Sequence, residues 1–269
     1  MVIKGRHDRI LPPETAPDYP GWPLKGDYVN TRLFSRLIVA GALCALTGFA
    51  GSAYAALATF GPTPYLSSAD SPFASGSFSY FHLENFEDHL LNTPGVSADV
   101  GGVTSVVFGP TIHDSVDADD GIIDGSGLLG DSYFTGPGAA GIRFTFSAAI
   151  LGSLPTSAGL VWTDGGFGTS VTFTVFGENG QQVFTTTLSG FADNSNNGET
   201  AEDRFFGATY SGGISAIFMS NAGGGMEVDH LQYGAAAAAA VPEPETYAML
   251  LAGLGLLGFA ARRRQHQRA

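Results

Sequence analysis

VTFTVFGENGQQVFTTTL, running from Val171 to Leu188, decides the fold class. β-Branched and aromatic residues crowd both halves, and Asn179-Gly180 sits between them, the strongest short-range hairpin signal in the chain. Working outward, IRFTF places Ile142, Phe144 and Phe146 on one face and Arg143 and Thr145 on the other, a period of two. Further strand-like runs are LVW at Leu160, GISAIFMS from Gly213 and MEVDHLQY from Met226. Between Ala56 and Gly234 no segment sustains a helical period. Short strands separated by Gly, Asp and Asn turns predict an all-β domain over 56–234, an antiparallel β-sandwich of jelly-roll type resembling lectins and carbohydrate-binding modules. No internal repeat divides it.

The two ends carry helices of another kind. Arg32 and Arg36 precede the apolar run LIVAGALCALTGFA (Leu37 to Ala50), and Ala53-Tyr54-Ala55 then offers small residues on either side of a cleavage point. That order reads as a secretory signal peptide over 29–55, cut after Ala55 and passing through the Sec translocase. The Pro-rich stretch 1–28 ahead of it reads as an extension outside the native protein, explained if translation begins at Val29, or as an unstructured leader. The single cysteine, Cys44, lies inside the signal, so the mature chain has no disulfide and no thiolate site.

Once the ends are set aside, charge is one-sided. From Ala56 to Ala240 there are 19 Asp or Glu against two arginines, Arg143 and Arg204, and no lysine, a formal charge of −17. Such a surface repels phosphate backbones and argues against nucleic-acid binding; it suits a soluble exported protein or one that captures cations.

The chain closes with VPEPETYAMLLAGLGLLGFAARRRQHQRA. Six alanines (235–240) form a linker before Val241, Pro242, Glu243 and Pro244, a stretch that two prolines keep extended. The 14 uncharged residues 248–261 follow, about 21 Å of helix at roughly 1.5 Å per residue and short for a bilayer span. Arg262, Arg263 and Arg264 stand directly after them, on the side that stays cytoplasmic. This order over 241–269, a Pro-Glu-Pro step, a short transmembrane helix and an arginine knot, resembles the PEP-CTERM sorting signal of Gram-negative exported proteins. The resemblance implies recognition and cleavage by exosortase, transient anchoring in the inner membrane, then release or attachment at the cell surface, among bacteria that make exopolysaccharide and biofilm matrix. The stretches FHLENFEDHLLNTPGV, TAEDRFFG and GGGMEVDHLQYG also look like the central domains of other PEP-CTERM proteins.

Candidate ligands for a hard cation are plentiful. HDSVDADDGIIDGSG holds Asp114, Asp117, Asp119, Asp120 and Asp124 within 11 residues, and oxygen-rich loops of this kind bind Ca²⁺. The spacing is not that of an EF-hand, so Asp117, Asp119, Asp120 and Asp124 rest on charge alone, with a solvated acidic turn as the alternative. Acidic clusters also fall at both ends of the domain, in LENFEDH and MEVDHLQYG. Many carbohydrate-binding modules resemble this, joining an acid of the first strand to one of the last around a structural Ca²⁺, which points to Glu87 with Asp229.

Trp162 and Tyr210 are candidates for an aromatic platform that sugars stack on, although the apolar neighbours Leu160 and Val161 equally suit a core tryptophan. No nucleophile elbow, zinc-protease helix or phosphate loop occurs in the sequence. The expected function is therefore an exported, non-catalytic surface or matrix protein that binds exopolysaccharide and Ca²⁺. The alternatives are a secreted carbohydrate hydrolase with an unrecognised carboxylate pair and a purely structural acidic matrix protein.

Overall fold

The structure, a computed structural model, describes residues 55–109, 114–166, 170–192, 195, 197–238 and 244–267. The extension 1–28, nearly all of the signal peptide including Ala53, and Val241 to Glu243 lie outside the described residues.

Two antiparallel sheets make the domain. The first has the order β1 (Leu57–Pro64), β10 (Arg204–Tyr210), β7 (Ser157–Gly165), β12 (Met226–Ala236), β5 (Tyr133–Thr135) and β4 (Gly102–Val103), with β2 (Phe78–Glu84) also paired to β12. The second runs β3 (Val96–Ala98), β6 (Ile142–Phe146), β11 (Ile214–Asn221), β8 (Ser170–Gly177) and β9 (Gln182–Ser189). From β5 to β8, and again from β9 to β12, successive strands alternate between the sheets. Chain neighbours therefore face each other across the core, as the jelly-roll expectation requires.

The decisive hairpin forms as expected. Val171, Phe173 and Val175 point into the sandwich, while Thr172 and Thr174 bond across to Thr187 and Thr185 at 2.8 Å each. The Gly180 N–H donates to the Gly177 carbonyl at 2.8 Å, so Glu178 and Asn179 are the central turn residues. Gly180 then takes φ 72°, a left-handed position that costs glycine nothing. The loop is thus a turn followed by a left-handed residue, the three-residue hairpin form, rather than one with Asn179-Gly180 at its centre.

Between the sheets lies the main core, which includes Ile142, Phe144, Leu160, Trp162, Phe173, Phe206, Ile217, Leu231 and Tyr233. A second core covers the opposite face of the first sheet: Tyr65, Phe73, Val116, Val161 and Phe205, with Phe60 and Phe78 packed against it. Every residue of β7 from Ser157 to Thr163 is buried, because that strand has an apolar layer on each side. The run Leu160-Val161-Trp162, unbroken by polar residues, is what a strand covered on both faces needs.

The alanine linker begins later than expected. β12 continues through Ala235 and Ala236, which pair with Tyr80 and Phe78 of β2, so the strand takes the first two of the six alanines. At the C-terminus a helix covers Pro244–His266, longer than the expected 248–261, with residues 247–267 exposed. Arg263, Arg264 and His266 stand in its last turn, where cations complement the helix dipole. Among the described residues no helix is long and apolar enough to cross a membrane, because the uncharged run stops at the arginines.

Candidate functional site

The chemistry collects on the outer face of the first sheet, under the loops that cover its second core. Strand β12 builds it. Asp229 pairs with Val161 of β7, and the register then slips so that Gln232 pairs with Gly159, leaving one extra residue on β12. His230 carries that bulge with φ 44°. The extra residue puts Asp229, His230 and Gln232 all on the outer face while Val228, Leu231 and Tyr233 stay in the main core.

A buried polar network results, in which Asp119 Oδ2 is left without a partner among the described residues. The Tyr65 hydroxyl lies 2.9 Å from His230 Nδ1 and accepts from Gln232 Nε2 at 2.9 Å; His230 Nε2 lies 2.9 Å from Asp119 Oδ1. The proton count closes if Tyr65 donates to Nδ1 and the Nε2–H donates to Asp119. Asp229, fully buried, accepts from the Val116 and His230 backbone N–H groups. Burial first, and the nearby Asp119 second, push its carboxyl well above the ordinary range. Tyr65→Phe should cost about 1–3 kcal/mol by leaving His230 and Gln232 unsatisfied. Urea denaturation would show it, and an unchanged midpoint would mean the hydroxyl holds neither partner.

The other expected cation ligands fall into different roles. Asp117 is buried and organises its own loop, accepting backbone N–H groups of Asp124, Gly125 and Ser126 at 3.0 to 3.3 Å. Asp120 accepts from the Ile122 N–H at 2.8 Å, an Asx-type turn, and Asp124 is exposed. Glu87 follows β2, which does lie beside β12, but its carboxylate accepts from the Asp131 N–H at 2.6 Å and is not among the groups that close around Asp229. Burial pushes Glu87 up to about 7, the charges of Asp119 and Asp131 adding to it. The acid that meets Asp229 is Asp119 instead.

Trp162 is fully buried, edge-on to Phe191 at 5.3 Å between ring centres. It is a core residue and not part of a sugar platform, because β7 is covered on both faces. Tyr210 is half-buried six positions along β10 from Arg204, the residue opposite Trp162, so roughly 20 Å separates the two along the strand. Its ring lies against Gly212, which lines a groove of about 800 Å³ together with Ser79, Ser153, Thr156 and Glu178; Tyr210 stands beside that groove and is not one of its lining residues.

A second acidic group, unforeseen as a set, joins three distant segments. Carboxylate oxygens of Asp114, of Asp164 at the end of β7 and of Glu202 in the turn before β10 lie within 4.8 Å of one another. Asp203 and Glu227 crowd in beside them: both raise the Asp114 carboxyl, after burial itself, well above its ordinary range. Asp203 is fully buried and neither of its oxygens finds a hydrogen-bond partner among the described residues. The sequence held a weak signal: WTDGG and TAEDRFFG each set acids beside strands that are otherwise apolar, where solvent exposure is not the natural reading.

Fold and site together define an acidic antiparallel β-sandwich with polar chemistry buried on one outer face. The chain carries the PEP-CTERM protein-sorting motif at residues 240–264, which implies export, exosortase processing and anchoring through the C-terminal segment. None of the curated proteins compared matches the chain. Among solved structures, the crystal structure of the enzymatically active domain of bacteriophage CBA120 tailspike protein 4 is similar at 16% identity, covering 65% of this chain and 22% of that one, with a TM-score of 0.30. This chain thus spans about a fifth of the tailspike chain, and so slight a likeness bears neither on fold nor on activity.

Proposed function

We propose that the protein crosses the inner membrane of a Gram-negative bacterium through the Sec translocase, is held there by its C-terminal segment, and is cut by exosortase near Pro242 and Pro244. It then serves at the cell surface or in the extracellular matrix as a non-catalytic module that binds exopolysaccharide. The sorting motif over 240–264 carries this reading. A non-catalytic role is supported by where the acids are: Asp114, Glu202, Asp203, Glu227 and Asp229 are all buried, whereas a glycosidase must present two carboxyls to a sugar in a cleft. The groove beside Tyr210, with hydroxyls of Ser79, Ser153 and Thr156, offers sugar hydroxyls partners and brings a single carboxylate, Glu178, to its lining.

Two measurements test it. Released protein should lack Arg262, Arg263 and Arg264 when its C-terminus is sequenced, and Pro242→Ala with Pro244→Ala should leave most of the protein in the inner-membrane fraction. Release at the ordinary rate would remove exosortase from the account. On a glycan array the protein should bind acidic or neutral polysaccharide without shortening it; appearance of reducing ends would make it a hydrolase.

A further inference from the structure

We propose that Asp114, Asp164 and Glu202 form a binding site for a divalent, oxygen-seeking cation, Ca²⁺. Three carboxylates from three separate segments bring oxygens within 4.8 Å of each other, and Asp114 and Glu202 are 3% and 2% exposed. Like charges at that spacing, taken out of water, are tolerated only if protons or a cation stand between them.

A second observation points to an ion. Asp114 Oδ1 is buried and has no hydrogen-bond partner among the described residues, although its own backbone N–H is fixed by Glu227 Oε2 at 2.8 Å. A buried carboxylate oxygen held in place with no donor facing it is an acceptor waiting for a positive charge. The neighbouring network of Asp119, Asp229 and His230 also leaves one oxygen, Asp119 Oδ2, without a partner among the described residues, but there His230 Nε2 already lies 2.9 Å from Asp119 Oδ1 and backbone N–H groups serve Asp229, and the imidazole makes it a mixed donor set less suited to a hard cation.

The donor set selects the ion class. All three ligands are carboxylates, without the nitrogen or sulfur that zinc and later transition metals prefer. They supply up to six oxygens, and half-buried Asp164 leaves an open side for water, which suits the six to eight ligands of Ca²⁺ at 2.3–2.6 Å. Mg²⁺ demands a stricter octahedron and gives up water reluctantly, so three carboxylates on different segments fit it less well. Asp203 and Glu227 deepen the negative potential around the site. Arg204 offsets part of the Asp203 charge, while its Nη1 donates to the Ala201 and Asp203 main-chain carbonyls. Joining the loop before β5 to the end of β7 and to the turn Thr200–Glu202, the ion would clamp the acidic layer onto the first sheet.

The test uses the purified full-length protein, melted in EDTA, in millimolar Ca²⁺ and in millimolar Mg²⁺ at matched ionic strength, with Ca²⁺ binding followed by calorimetry. One Ca²⁺ per chain and a midpoint raised by roughly 5–10 °C over EDTA are expected, with a much smaller Mg²⁺ shift. Asp114→Asn and Glu202→Gln should still fold, melting at or above the wild type in EDTA because repulsion is relieved, and should lose the Ca²⁺ shift. Equal wild-type midpoints in EDTA and Ca²⁺, or an equal gain from Mg²⁺, would overturn the site. So would Asp114→Asn retaining the full shift. The outcome is independent of exosortase processing: a failed calcium site leaves the sorting tail intact, and the reverse.

Discussion

Trp162→Ala should lower the stability of the domain by about 3–5 kcal/mol, the range for emptying a large aromatic site in a packed core. Trp162 is fully enclosed in the inter-sheet core, edge-on to Phe191 and beside Asn221 and Gly165. The sheets meet through strands fixed on both sides, β10 and β12, so the walls cannot collapse into the space. For a domain of this size that is a melting midpoint lowered by roughly 10–15 °C. Thermal denaturation of the purified variant measures it. A midpoint within a degree or two of wild type, with polysaccharide binding lost, would return Trp162 to the surface. Tyr210→Ala, at the half-buried groove edge, should cost far less and act on binding.

In chelator the domain should become more stable, not less, as pH falls from 8 to 6. Glu87 shows why. Its carboxyl titrates at about 7 in the fold against 4.5 ordinarily, so between those values the folded state holds a proton that the unfolded chain has released. Stability from this group is complete below the unfolded value and is lost as pH rises through about 7. Burial pushes Asp114, Asp203 and Asp229 in the same direction, while it lowers the His82 imidazole, whose smaller opposing effect falls at the acid end of the window, where the unfolded chain takes up that proton first. Burial also raises Asp131, but hydrogen bonds from His89, Ser105 and Thr104 outweigh it and hold that group low, so its opposite effect falls below about pH 4, outside the window. Glu87 is only partly buried and its shift is screened, leaving on the order of 1–2 kcal/mol, or roughly 3–6 °C, across pH 8 to 6. Melts in EDTA at pH 8, 7 and 6 test the sign. A midpoint that drops on acidification would contradict it, and Glu87→Gln should flatten the curve.

Much of this was open to reading along the chain. The alternation in Val171 to Val175 and in Ile142 to Phe146 is a local property of the strand pleat, so it specified strands, faces and the hairpin before any tertiary contact was known. The sorting tail was equally legible, since its order of prolines, apolar run and arginines is addressed to the export machinery and is independent of how the sandwich packs. What pattern could not supply was the second core. The tryptophan in Leu160-Val161-Trp162 reads equally as platform or core until the loop bearing Tyr65 and Phe73 is laid over the outer face of the first sheet. The same layer decided the acids. Glu87 lies just past β2, the strand beside the β12 that carries Asp229, yet one added residue at His230 rotated β12 so that Asp229 met Asp119 instead. Asp114, Asp164 and Glu202 are separated by 38 residues or more of chain, and only the packing of three loop ends against one sheet brings their charges within reach of a single ion. Periodicity is local and was written in the sequence; the burial and convergence of charge are sums over distant segments, and those existed only once the chain had closed.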